Sequence, residues 1–300
     1  MNTLKEYEAR LLNPDDVAGA YRFCADLVSR HYENFPVASK LVPKRLRRHV
    51  AALYAFARIA DDFSDEPEYA GVRRERLLDW RRQLGEIGAK PPSHPVFLAL
   101  GATLKELDLP KAPFDDLLSA FLQDTEKRRY ATFDEVVDYC RRSANPVGRI
   151  VLMIHGHRDE ELFRYSDAIC TALQLANFWQ DVSVDLKKDR IYIPEEDFAA
   201  HEYSEADLRM GVCNERFKNL MKFEVARARS LFEQGRPLLE KLRFPLSLRR
   251  LVPVNGGRAP AQCRSQGGNL PGPNLRDRLK LLDSASSEMS LALAQVSQNH

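Results

Sequence analysis

The sequence predicts an all-α fold, because apolar residues recur at helical spacing through most of the chain ahead of Pro245 while short alternating β-branched runs bounded by turns are nearly missing. Helix-start signals agree with that periodicity. A first helix is expected from Asn13-Pro14-Asp15-Asp16, where a side-chain cap, an early proline and acids favour the dipole, to about Phe35 ahead of Pro36. A second starts near Pro43 and carries LRRHVAALYAFARIADDFSDE up to Pro67. Further helices fit residues 70–88, 94–107 and 113–129. The pattern Thr132-Phe133-Asp134-Glu135 resembles a capping box and opens another helix, which Asn145-Pro146 interrupts. The last two cover roughly 159–186 and 214–242.

A chain of 300 residues with 44% apolar content can fill a sizeable core. Its 45 Lys+Arg against 43 Asp+Glu leave a net charge of +2, so no field of one sign is available to capture nucleic acid. The five cysteines are an odd number without a C-x-x-C pair, which suggests neither a zinc ribbon nor a disulfide framework, and a reducing cytoplasm is the default. The start MNTLKEYEAR has no apolar core of signal-peptide length, and no uncharged apolar run approaches the ~18–20 residues that span a bilayer. Dinucleotide, P-loop and zincin signatures are absent.

Function must then come from local clusters, and two acidic ones stand out. Asp61, Asp62 and Asp65 end a helix whose preceding turns are apolar, and each acid there opposes the macrodipole by ~0.3–1 kcal/mol. A cation would compensate. Asn177, Asp181 and Asp185, in LQLANFWQDVSVDL, follow one another at steps of four and form a stripe about 12 Å long, with Gln174 one turn earlier. Leu173, Phe178, Trp179 and Val182 between them are apolar, so the stripe is expected to face an internal cleft. Oxygen-only donors favour a hard cation such as Mg²⁺, which keeps positions open for substrate phosphate oxygens. Arg58, Arg190, Lys187 and Lys188 would add charge-assisted contacts to the same diphosphate. The plainer reading makes each cluster a solvated helix face answered by nearby basic residues.

YAFARIADDFSDE (Tyr54 to Glu66) and LQLANFWQDVSVDLKKDRIYIP (Leu173 to Pro194) resemble the two aspartate-rich motifs of the head-to-head prenyl synthases, the squalene and phytoene synthase family, over about residues 17–245. HYENFPVAS, RRSANPVGR and the Trp-Gln-Asp of the second motif are most similar to the bacterial hopanoid-pathway branch, hydroxysqualene synthase. The resemblance implies a helical isoprenoid-synthase bundle around a central cavity, spanning residues 1–250. It implies Asp61, Asp62, Asp65, Asn177, Asp181 and Asp185 as Mg²⁺ ligands, and phosphate and mouth contacts on His31, Tyr54, Arg58, Gln174, Arg190 and Tyr192. Phe35 and Tyr139 fall at the chain-binding cavity, and Asn145 stands where it could hold a water near a carbocation, or merely mark a needed kink. Tyr54, Phe56, Phe178 and Trp179 are candidates to stabilise that cation, with core packing preferred for Phe56 and Trp179.

The implied reaction converts presqualene diphosphate and water to hydroxysqualene and diphosphate. Presqualene diphosphate would come from a sister prenyl synthase, and an apolar product makes peripheral contact with the inner membrane an expectation. Condensation of two prenyl diphosphates is the alternative within the fold, with a terpene cyclase third. A non-catalytic assembly factor is the alternative from another class. After Arg243-Phe244-Pro245-Leu246-Ser247-Leu248 the family pattern expects further apolar helices, but residues 251–273 hold nine Gly or Pro. Residues 251–300 therefore read as an atypical, poorly ordered tail with a short helix, from a reading-frame disturbance or a real divergence.

Overall fold

The structure is a computed structural model that describes residue 13, residues 15–31 and residues 42–242. Among these residues there is no strand, only an isolated bridge between Ile87 and Lys90. The expected tail lies outside them. Twelve α-helices follow in order among the described residues: α1 (Val17–His31), α2 (Lys44–Asp65), α3 (Arg73–Glu86), α4 (Pro95–Glu106), α5 (Ala112–Asp124), α6 (Phe133–Ser143), α7 (Asn145–Ile154), α8 (Glu160–Asp185), α9 (Glu195–Ala200), α10 (Glu205–Arg209), α11 (Glu215–Gly235) and α12 (Pro237–Lys241). Single 3₁₀ turns follow α2 (Pro67–Tyr69) and α8 (Leu186–Lys188).

Local chemistry explains most of the starts. Proline opens α4, α5 and α12, where its missing N–H has no helical partner to lose. Thr132 Oγ1 accepts the Glu135 amide at the start of α6, while Glu135 Oε2 accepts from Ala131 N, one residue beyond the cap. The full reciprocal box occurs instead at Ser204 and Asp207, ahead of α10.

Three boundaries differ from the sequence reading, and one agrees. The first helix begins at Val17 because Asp16, whose carboxylate accepts the Gly19 amide at 2.7 Å, is the effective cap. The helix expected to reach 129 stops at Asp124, since residues beyond it spend their carbonyls on another segment: Arg128 O, Tyr130 O and Ala131 O accept from Ile191, Glu195 and Glu196. Asn145-Pro146 interrupts the chain of helices as expected, and a new helix begins there with proline in the first turn. Pro237 likewise divides the last expected helix into α11 and α12.

The described residues form two compact units: those up to Glu126 together with Pro146–Asp159, and Lys127–Asn145 together with those from Glu160 onward. In the first, the ring of Phe56 is fully buried and meets Trp80, Phe97 and Phe114, with centroids 5.6–6.1 Å away, so one side chain of α2 touches α3, α4 and α5. Phe56 is core, as preferred above. In the second, α11 packs along α8, and Gly235 allows the approach, since a Cβ there would stand 2.8 Å from the Tyr165 carbonyl oxygen.

Candidate functional site

Each unit carries one of the acidic motifs at the C-terminal end of a long helix. Asp65 is the last residue of α2 and Asp185 the last of α8, and neither helix has a basic residue in its final turn. Three of the four acids that share a helix face within a motif, Asp65, Asp181 and Asp185, are half-buried, and Asp61 keeps 46% of its side chain accessible.

On α2 the acids divide their work. Asp62 is turned inward, 3% exposed, and pairs with Arg58 at 2.5 Å, while Arg58 also reaches Asp61 at 3.6 Å. Asp62 therefore holds the arginine that the sequence offered as a phosphate contact, and Asp61 and Asp65, one helical turn apart, are the pair left on the open face. The Asp61 carboxyl is pushed up to about 6, by the protein crowded around it first, then by Asp65, with Asp62 and Asp124 adding and Arg58 opposing. Ser64 Oγ and Arg73 bond the backbone carbonyls of Asp61, Asp65 and Glu66, satisfying acceptors that the helix end leaves open. Tyr54 is half-buried two turns earlier.

On α8, Thr171, Gln174, Asn177, Asp181 and Asp185 succeed one another at steps of three and four, so they lie along one stripe. Leu175, Phe178 and Trp179 beside it are buried. Beyond Asp185 the chain turns through Asp189 in the left-handed region, at φ 57, and Arg190 donates its amide to Asp185 O. Arg128 and Arg129 hold this turn: they donate to the carbonyls of Lys188 and Asp189, and Arg129 also pairs with Asp189 and Glu205. The Asp189 carboxyl falls to about 2 because Arg129 and Arg209 bond it. Arg190 and Tyr192 are then buried against the motif helix, and the Tyr192 ring lies on Phe178 at 3.7 Å and 8°. Phe178, offered above as a cation-stabilising face, has one face covered in this way. Tyr130 and Tyr139 complete the aromatic cluster, so Tyr139 falls beside Tyr192 as part of one wall.

Asn145, the first residue of α7, is buried and accepts the Thr171 hydroxyl at 2.9 Å. His31 ends α1 with its side chain outside the described residues, and Phe35 lies wholly outside them.

Among the described residues no three His, Cys, Asp or Glu side chains stand close enough together to hold a metal ion by themselves. The donor chemistry nonetheless suits magnesium. Mg²⁺ is commonly bound by one or two carboxylates and completes its shell with water and substrate phosphates, and Asp61 and Asp65 offer two carboxylates one helical turn apart on α2.

The family model for squalene/phytoene synthase matches residues 28–263. The chain belongs to the squalene/phytoene synthase family. It is 32% identical over 250 residues to a phytoene synthase of Arthrospira platensis, covering 78% of this chain and 81% of that protein. It is 34% identical over 212 residues to a hydroxysqualene synthase of Rhodopseudomonas palustris, covering 70% and 72%. The crystal structure of squalene synthase HpnC from Alicyclobacillus acidocaldarius superposes with a TM-score of 0.74 at 35% identity, covering 96% of each chain. The fold is thus the helical isoprenoid-synthase fold, and the protein is a prenyltransferase-type enzyme acting on prenyl diphosphates by head-to-head chemistry. The family match runs to 263, past the limit of 245 read from the sequence.

Two participants escaped the sequence reading. Asp124, buried at the end of α5, adds its charge to the surroundings of Asp61, and Tyr130 backs Tyr192. Nothing in local spacing marks either one. No described helix is long and apolar enough to cross a membrane.

Proposed function

We propose that this synthase ionises presqualene diphosphate and adds water to the resulting carbocation, releasing hydroxysqualene and diphosphate. The observation that carries the reading is the Asn145–Thr171 pair. Thr171 continues the α8 stripe on which Gln174, Asn177, Asp181 and Asp185 stand, about 15 Å along the axis from Asp181, so a buried polar pair occupies the deep end of a polar stripe whose outer end is acidic. The Asn145 carbonyl is taken by Thr171, which leaves an amide N–H to donate to one lone pair of a water, the other lone pair remaining for attack.

Asp61 with Asp65, and Asn177 with Asp181 and Asp185, would each hold Mg²⁺, which when bound supplies Lewis-acid stabilisation of charge on the departing diphosphate. Arg190, Gln174 and the Tyr192 hydroxyl orient that group, and Arg58, fixed by Asp62, adds positive charge beside Asp61. Tyr54 and Tyr139 offer ring faces to the cation, an interaction worth up to ~2 kcal/mol each when dry. The proton lost by the water leaves with the diphosphate. A sister synthase would supply the substrate, and the apolar product would pass to a membrane surface.

The relation to phytoene synthases supports a second reading, condensation of two prenyl diphosphates. Purified enzyme with Mg²⁺, offered presqualene, farnesyl or geranylgeranyl diphosphate separately, decides between them. Consumption of presqualene diphosphate with one oxygen from labelled water is expected; turnover of farnesyl or geranylgeranyl diphosphate alone would overturn the first reading. Replacing Asn145 by Ala is expected to divert product away from hydroxysqualene toward elimination products. An unchanged product distribution would reject its role.

A further inference from the structure

Away from the acidic stripe, the second unit holds a fully buried acid that the chemistry above does not use. Glu224 on α11 is 0% exposed, between Leu220 and Ala228 on the packed face. Two charged groups face it. Arg227, on the same helix, stands 3.4 Å from Glu224 Oε2, and Asp197 lies across from it on α9. Arg227 is committed elsewhere: it grips both carboxylate oxygens of Asp197, at 2.5 and 3.0 Å, and is held between the rings of Phe133 and Phe223, 4.0 and 4.3 Å from their centroids. One cation thus meets two buried carboxyl groups, and Glu224 Oε1 is left with no hydrogen-bond partner.

A proton resolves the imbalance. Carried by Glu224, it allows a hydrogen bond to Asp197 and leaves one buried charge of each sign. Burial, followed by the nearby Asp197, raises the Glu224 carboxyl to about 8.

Asp197 stands on the helix that directly follows the Arg190–Pro194 arm, and its carboxylate ties that helix to Arg227 of α11. The segment from Arg190 to Pro194 leads straight into α9: the Ile191 amide donates to Arg128 O, and at the start of α9 the amides of Glu195 and Glu196 donate to Tyr130 O and Ala131 O while the Glu196 carboxylate accepts from the Phe133 amide. Its other end stacks Tyr192 on Phe178, next to Asn177.

From this geometry we infer that neutral Glu224 is a positioning residue, clamping Asp197 and Arg227 so that Arg190 and Tyr192 stay aligned with the acidic end of α8. The inference rests on the phosphate role proposed above for Arg190 and Tyr192. Ionisation of Glu224 would place a second negative charge inside the clamp and loosen the arm. Because the folded carboxyl titrates above its ordinary value of 4.5, the stability it lends is complete below that value and is lost as pH rises to and through about 8.

The test is binding of inorganic diphosphate with Mg²⁺ by calorimetry, near pH 7 and near pH 9, for wild type, Glu224→Gln, Glu224→Leu and Arg190→Gln. Glu224→Gln keeps a donor toward Asp197 without an ionisable group. It is expected to match wild type near pH 7 and to bind about tenfold more tightly than wild type near pH 9, the ratio that follows from the neutral fraction falling by about that factor. Glu224→Leu, which fills the space without a donor, is expected to bind severalfold more weakly than wild type near pH 7 and to show no comparable loss on going to pH 9. Equal pH dependence in wild type and Glu224→Gln, or wild-type affinity in Glu224→Leu near pH 7, would overturn the inference. Should the variants not fold, the infrared band of a neutral carboxylic acid in wild type, expected near pH 7 and gone near pH 9, answers the same question, and its absence near pH 7 overturns the inference. Arg190→Gln separates the two claims: undiminished affinity there refutes the phosphate role of the arm, whereas loss there alone refutes only the clamp.

Discussion

Replacing Asp61 or Asp185 by Asn is expected to lower kcat about a thousandfold, the scale found when one preorganised electrostatic partner of a developing charge is removed. Both sit at the open ends of their helices, so the loss should come without unfolding. Thermal melting provides the control. Wild type with Mg²⁺ and inorganic diphosphate should melt several degrees higher than the free protein, a shift that follows ligand saturation, and chelation should abolish it. In either variant the shift should shrink toward zero. A full Mg²⁺-dependent shift in both variants would remove these carboxylates from the metal site. Asp62→Asn should behave differently, because its partner is Arg58 at 2.5 Å and it is nearly sealed from solvent: it should lose stability as well as activity.

Phe56→Ala should be the most damaging single change to the fold. The ring is fully buried and in contact with aromatic rings from three other helices, so truncation leaves a cavity that four elements would have to collapse together to fill. A loss of about 3–5 kcal/mol is expected, lowering Tm by roughly 6–15 °C in a protein of this size. Scanning calorimetry measures it directly. A drop below ~1 kcal/mol would mean that the cluster is looser than its centroid distances indicate.

Apolar periodicity and helix caps made the positions of α2, α4 and α8 legible to within a residue or two, because those signals act within one turn. The acidic motifs were legible for the same reason: Asp61 with Asp65, and Asn177 with Asp181 and Asp185, repeat at the helical step. What stayed hidden depends on partners far away in sequence. Spacing alone groups Asp62 with Asp61 and Asp65, whereas its pairing with Arg58 on the inner face depends on burial that the spacing does not show. The stop of α5 at Asp124 is enforced by carbonyl bonds from 128–131 to amides some sixty residues later, which outweigh a local pattern that would have continued the helix. Glu224 did leave a mark: it stands at the helical step between Leu220 and Ala228, an acid on an apolar face. Its partners Asp197 and the ring of Phe133 could not be read from that spacing.

Both acidic helix ends also carry a consequence for how such a chain changes over generations. Asp65 and Asp185 terminate helices that would be more stable with a neutral or basic residue in the same place. Without ligand, Asp65→Asn and Asp185→Asn should therefore melt slightly above wild type, while in the presence of Mg²⁺ and diphosphate the order should reverse. A lineage released from selection for turnover would be expected to become sturdier as it lost these acids and became inert, so that stability and activity pull in opposite directions at both helix ends.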